Sequence, residues 1–343
     1  MRSALTLVFS AACLWGAADP RAAAEASAGL ELARAGKYEQ AIAHYRAALK
    51  LDPVMPGLEL NLGLAYFKLN RFDEAIPAFE QAVKADPVSF QAQVLLGMSY
   101  YGTRRFREAA AQLKQAAAEQ PDNTELRFKL AQSYLWSKQY DASKEEFRFL
   151  LTRDPDSAPV HMLLGEVLDA GNQQEQATAE FEEAVKAGPH EPEVHFGLGY
   201  LYWKQKRYEE ARRAFEAELT DQPQHTQALA YLGDAEMHSG NQKPAEKHLR
   251  QALKVDAKMR LAQLDLGIVL AERNENEEAA KHFQEAIRLD PSKPDAHYRL
   301  GRLWLAMGRE REAEAEFAKV KQLAKPEQAE APPEPLINVR GRQ

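Results

Sequence analysis

Small residues recur along this chain at a fixed interval of 34: Gly29, Gly63, Gly97, Ala131, Gly165, Gly199, Gly233, Gly267 and Gly301. From the second copy onward each follows a leucine, Leu62, Leu96, Leu130, Leu164, Leu198, Leu232, Leu266 and Leu300. Twelve residues after each small residue stands Ala41, Ala75, Ala109, Ser143, Ala177, Ala211, Ala245, Ala279 or Ala313. Four further on comes a large side chain, Tyr45, Phe79, Leu113, Phe147, Phe181, Phe215, Leu249, Phe283 or Phe317. A period of this length restricts the chain to stacked copies of one small unit, because a single copy is too short to bury an apolar face by itself.

Each unit reads as two helices. In the second, Leu62, Ala65, Tyr66 and Leu69 share one helical face, and Ala75, Phe79, Ala82 and Val83 share another. Asn70-Arg71-Phe72-Asp73 supplies the turn between them, and Pro87 ends the second helix because proline cannot donate the next hydrogen bond. A Gly or Ala on the first helix lets the bulky residue of the second approach closely, ridge into groove. These columns resemble the tetratricopeptide repeat, and the resemblance covers residues 22–327 as nine contiguous units beginning near residues 22, 56, 90, 124, 158, 192, 226, 260 and 294. It implies an all-α fold, a right-handed solenoid of nine helix-turn-helix units with a concave and a convex surface.

The last unit departs from the pattern as a terminal cap should. A column that is apolar in units one to eight holds Lys321 in the ninth, near Glu310, Arg311, Glu312 and Glu314. Residues 328–343, with Pro332-Pro333-Glu334-Pro335, read as a disordered tail. Within the array, Glu218 stands in a mostly Ala column, Glu236 in one of large residues, and Ala257 in place of a closing proline. These departures suggest a softer joint between the sixth and seventh units, or else local repacking with both acids reaching water.

The N-terminus reads as a secretory signal. Arg2 is followed by an uncharged stretch from Ser3 to Ala18, short of a spanning helix, with small residues before candidate cleavage points at 18 and 24. The signal is therefore placed within residues 1–24, and the mature chain is expected to be exported, periplasmic or secreted, with no membrane span. Lipid anchoring through Cys13, the one cysteine, is a lesser alternative. A mature chain without cysteine excludes disulfides and thiolate metal sites. With 44 Lys+Arg against 51 Asp+Glu, the net charge of −7 argues against a nucleic-acid partner, whose binding rests on clustered cations.

No phosphate-binding glycine loop, HExxH, EF-hand loop or CxxC pair is present. His190 and His195 are five apart across a proline and do not share a helix face. His161, His195 and His297 share one column, and His161 with His195 beside Glu166 reads as solvated or capping, a metal or pH-sensing pair being the other reading. With the repeats occupying 22–327, no room remains for a catalytic domain, so the chain is expected to be non-enzymatic and to need no cofactor.

What remains is binding. By the resemblance, the second, fifth, ninth and twelfth positions of each first helix line the concave groove. The last three of these hold Leu60, Leu64 and Phe67; Val94, Met98 and Tyr101; Phe128, Gln132 and Leu135; Met162; Phe196, Tyr200 and Trp203; Leu264 and Ile268; Tyr298 and Arg302. Glu166, Asp169, Asp234 and Met237 fall in the same columns. The Lys and Asn clamp that a subclass of the family uses for a peptide C-terminus is missing: the fifth column has no Lys and the ninth no Asn. Part of the apolar face is consumed where first helices pack side by side. The aromatic remainder implies a scaffold that binds a peptide segment or partner protein of the cell envelope. Met98, Met162 and Met237 allow an alternative, a chaperone-like assembly factor holding several envelope or secreted clients.

Overall fold

The computed structural model describes residues 19–324, and over them the chain is all-helical: eighteen α-helices and no strand. The signal segment before Asp19 and the tail after Ala324 lie outside the described residues. The chain divides into two compact units at Pro155–Asp156.

The first unit holds four hairpins: α1 (Pro20–Arg34) with α2 (Tyr38–Leu51), α3 (Leu58–Lys68) with α4 (Phe72–Ala85), α5 (Phe90–Gly102) with α6 (Phe106–Glu119), and α7 (Thr124–Trp136) with α8 (Tyr140–Arg153). The second holds five: α9 (Ala158–Ala170) with α10 (Gln174–Ala187), α11 (Val194–Lys204) with α12 (Tyr208–Asp221), α13 (Thr226–His238) with α14 (Gln242–Val255), α15 (Arg260–Glu272) with α16 (Asn276–Leu289), and α17 (Pro294–Ala306) with α18 (Glu310–Leu323). Inside each unit the two helices of a hairpin pack on one another, and the second helix packs on the next first helix.

The repeated glycines act by close approach. A Cβ built on Gly63 would lie 2.6 Å from the Phe79 ring, and one on Gly199 2.7 Å from the Phe215 ring. In the fourth hairpin Ala131 replaces glycine, and the Ser143 hydroxyl donates to its carbonyl at 2.8 Å. Phe79, Phe147, Phe181, Phe215 and Phe283 are almost wholly buried. Each such ring removed from water contributes on the order of 2 kcal/mol.

The turn inside every hairpin uses one left-handed residue, again at an interval of 34. Gly36, Asn70, Arg104, Lys138, Asn172, Lys206, Gly240, Asn274 and Gly308 all have φ between +57° and +79°. The following amide reaches back to close the first helix, as Arg71 N does to Tyr66 O at 3.0 Å.

Three expectations need correction. Glu218 and Glu236 do not reach water: they are 3% exposed each. Glu218 Oε2 accepts the Phe196 amide at 3.0 Å, an orphan donor in the first turn of α11 that Glu193, the residue before the helix, leaves uncapped. Glu236 Oε2 pairs with His248 Nδ1 at 2.8 Å. Helix α12 packs on α13 across the junction of the sixth and seventh repeats, and the division into compact units falls instead between the fourth and fifth. His161 and His297 are not solvated either. They bind Glu180 and Glu316 of their own hairpins at 2.7 and 2.6 Å. The cap reading of the last helix holds, since Ala313 alone is buried in α18.

Candidate functional site

The predicted groove residues fall on the first helices of both units, which present different chemistry. In the first unit Leu64, Val94, Gln132 and Leu135 are buried, while Leu60, Phe67, Met98, Tyr101 and Phe128 are half-buried. Phe67 and Phe128 turn edge-on toward rings of their own hairpins, Phe72 at 5.3 Å and Phe147 at 6.1 Å. The Tyr101 hydroxyl and Lys129 Nζ both donate to Gln132 Oε1, each at 3.2 Å, and Lys129 sits 4.8 Å over the Tyr101 ring. Burial pushes the Tyr101 phenol up and the Lys129 ammonium down.

In the second unit Met162, Phe196, Leu264 and Ile268 are buried, Tyr200 and Trp203 half-buried, and Tyr298 and Arg302 exposed. The structure gathers Phe196, Tyr200 and Trp203 around Tyr231 of α13, with ring centroids 6.1, 5.4 and 4.9 Å from it. Trp203 Nε1 donates to Asp234 Oδ1 at 2.9 Å. The same face carries acids. Glu166 on α9 is 4% exposed, neither of its oxygens has a hydrogen-bond partner, and burial, reinforced by Asp169, pushes its carboxyl up to about 8. Asp169 pairs with Lys204. Burial raises Asp234, and on α15 burial and the neighbouring Asp234 raise Asp265 well above the usual carboxylate range.

Tyr231 and Asp265 escaped the sequence reading because both stand at the sixth position of their units, a column it assigned to no surface. Asp265 had a visible signal: a lone acid between leucines in Leu264-Asp265-Leu266, on an otherwise apolar helix.

One group of side chains has metal-like spacing among the described residues: Glu193, Glu218 and His225, with candidate ligand atoms within 4.8 Å of one another. Its hydrogen bonds do not suit a metal. His225 Nδ1 accepts the Ala228 amide at 3.0 Å, so Nε2 carries the proton and points at Glu193 Oε2, 2.9 Å away. Glu218 is occupied by the Phe196 amide and by Gln222 Nε2. The set holds the starts of α11 and α13 in place. No helix among the described residues is long and apolar enough to cross a membrane.

Helical hairpins of 34 residues, packed in order and presenting their first helices as one face within each unit, define a helical repeat array of the kind that recognises other proteins. The chain belongs to the tetratricopeptide repeat family: models of that repeat match residues 27–90, 60–124, 175–225 and 196–259, with a further match at 100–167, and a TPR repeat model matches 267–308. No curated protein matches it. Among solved structures it is similar to the C-terminal part of a TPR repeat-containing protein from Cytophaga hutchinsonii, at 16% identity and a TM-score of 0.57 over 69% of this chain and 98% of that one. It is also similar to Pseudomonas aeruginosa pilF, at 20% identity and a TM-score of 0.52 over 59% of this chain and 91% of that one. The APC/C hetero-tetramer Cut9–Hcn1 matches at 14% identity and a TM-score of 0.53, over 82% of this chain and 55% of that one. At these identities the likeness is one of fold. Tetratricopeptide repeat proteins bind protein or peptide partners and are generally scaffolds without catalytic activity, and the architecture of this chain is that of a protein–protein interaction scaffold.

Proposed function

We propose that this chain is an exported scaffold of the cell envelope that binds a peptide segment or partner protein on its stacked first helices. The observation that carries the reading is that each unit, taken by itself, keeps half-buried aromatic rings on its first helices, Tyr101 in the first and Tyr200 and Trp203 in the second. Such rings give large contact area at small entropic cost. Export is supported by the Arg2 and Ser3–Ala18 pattern. Cleavage after Ala18 leaves α1 whole, with Asp19 capping it through the Arg21 amide at 2.8 Å, whereas cleavage after Ala24 removes the buried Ala22.

Tyr200 is the side chain to test, since it is half-buried, stacking against Trp203 at 5.8 Å and meeting Tyr231 edge to face at 5.4 Å. Partner capture from envelope extract should fall about tenfold or more with Tyr200→Ala while circular dichroism shows the variant still folded at the assay temperature. It should persist with Glu209→Ala on the exposed side of α12. Retained capture by Tyr200→Ala removes the surface assignment, and a full-length cytoplasmic product on fractionation and N-terminal sequencing removes the compartment. Many substoichiometric clients in place of one stoichiometric partner would favour the chaperone-like alternative.

A further inference from the structure

Lys129 on α7 is a half-buried cation of the first unit, and its ammonium is held in one place. Nζ donates to Gln132 Oε1 at 3.2 Å and lies 4.8 Å over the ring of Tyr101, a groove residue of the neighbouring first helix α5. The Tyr101 hydroxyl donates to the same Gln132 oxygen at 3.2 Å, and Gln132 itself is 5% exposed, so the acceptor that aims the ammonium is fixed from two sides. An ammonium has three donors, and among the described residues the bond to Gln132 is the one hydrogen bond that Lys129 Nζ makes. Glu125, one turn earlier and exposed, acts on it through charge without an ion-pair contact.

The second unit carries the same arrangement in completed form. Lys204 Nζ lies 5.9 Å over the Tyr200 ring and is paired with the carboxylate of Asp169 from the preceding first helix. In the first unit an amide oxygen is the acceptor where the second has a carboxylate. A cation that has given up part of its hydration for one neutral acceptor is left short of a counter-charge. The two helices that hold it also present Met98 and Phe128, both half-buried.

We infer that Lys129, seated on Tyr101, is the receptor for an acidic side chain, aspartate or glutamate, of the bound partner. The inference rests on the reading of the first helices as the binding face and names the charge of the residue recognised there. The incoming carboxylate accepts from the ammonium protons that Gln132 does not take, so a neutral contact is joined by a charge-assisted one, while Tyr101 keeps the cation in place from beneath. Met98 and Phe128 suit apolar residues flanking the acid. A free chain end offers the same carboxylate, and the test separates the two sources.

The probes are three peptides titrated calorimetrically into the intact chain: Gly-Leu-Glu-Leu-Gly with blocked ends, its Gln counterpart with blocked ends, and the Gln peptide with a free C-terminus. The glutamate peptide should bind at least about tenfold more tightly than the blocked Gln peptide, and its advantage should shrink as salt rises from about 0.02 M to about 0.5 M. Lys129→Met, which keeps an unbranched stem over Tyr101, should bind the two blocked peptides equally while circular dichroism shows it folded. Lys129→Arg should keep the preference. Equal binding of the blocked peptides to the wild-type chain, no binding of the glutamate peptide at millimolar concentration, or a preference that survives Lys129→Met overturns the inference. So does a free-ended Gln peptide that binds as tightly as the glutamate peptide, which would assign the site to a chain end. If Tyr200→Ala still abolishes partner capture in any of these cases, the binding face stands and only its preference for an acid fails.

Discussion

The two compact units use the same hairpin and differ in what their first helices carry. In the first unit the fifth, ninth and twelfth columns hold no acid, and Gln132 gathers Tyr101 and Lys129 into a neutral-to-basic network. In the second the same columns carry Glu166, Asp169 and Asp234 among aromatic rings, with Asp265 next to them at a sixth position. Backbone geometry cannot explain the contrast, because the turns and the glycine contacts repeat in both. Packing columns are held constant by steric need, and the surface columns are free to diverge. Binding specificity in such an array resides in the columns that break the repeat.

The largest expected effect that sharpens this comparison comes from Trp203→Ala. It removes a ring packed on Tyr200 and Tyr231 and strips Asp234 of its indole donor, so the second unit should lose roughly 3 kcal/mol. Hydrogen exchange read by mass spectrometry should show faster exchange in α11 to α15 and unchanged protection in α3 to α6. Equal loss in both units would mean that they do not unfold separately.

A comparable effect follows from pH. Glu166 has a carboxyl pKa raised to about 8, so between its unfolded value and that pH the folded chain holds a proton the unfolded chain has released. The stabilisation is therefore full at low pH, falls as pH rises through this window and levels off above it. Glu166→Gln should abolish a decline on the order of 3 kcal/mol between about pH 5 and pH 8 in chemical denaturation of the second unit. A slope that survives the substitution would place the pH dependence on other groups, Asp265 first.

The smallest effect belongs to the first unit and has the opposite sign. Tyr45 fills the position of the repeated phenylalanine, and its hydroxyl is buried with no partner. Tyr45→Phe should raise stability by about 1 kcal/mol, read as a higher melting midpoint of that unit. A lower midpoint would show that the hydroxyl is satisfied.

The hairpin array was legible because its cause is steric and local: Gly63 admits Phe79, and every unit repeats the bargain. The candidate surface was legible where a position could be assigned to the inner face, as for Tyr200 and Trp203. It was not legible where a side chain from the next helix completes the cluster, as Tyr231 does, since nothing in one unit's pattern reports on its neighbour's sixth position. Glu218 was misread for a related reason. An acid among alanines looks solvated until the uncapped amide of Phe196, 22 residues away in sequence, supplies its partner.

The left-handed residue at each hairpin turn bears on how such a chain can change length. Because Gly36, Asn70, Arg104 and their successors all meet the same backbone requirement, a whole unit can be duplicated or excised without disturbing any turn. The Asp234–Asp265 pair does not share that freedom. Moved to any other place in the order, Asp234 would face Ser27, Asn61, Leu95, Lys129, Leu163, Gly197 or Arg299, and no second carboxyl. The array is thus interchangeable in its folds and committed in its neighbours. Excision of the seventh or eighth hairpin, or insertion of another between them, removes the pairing, whereas tandem duplication of either one keeps it.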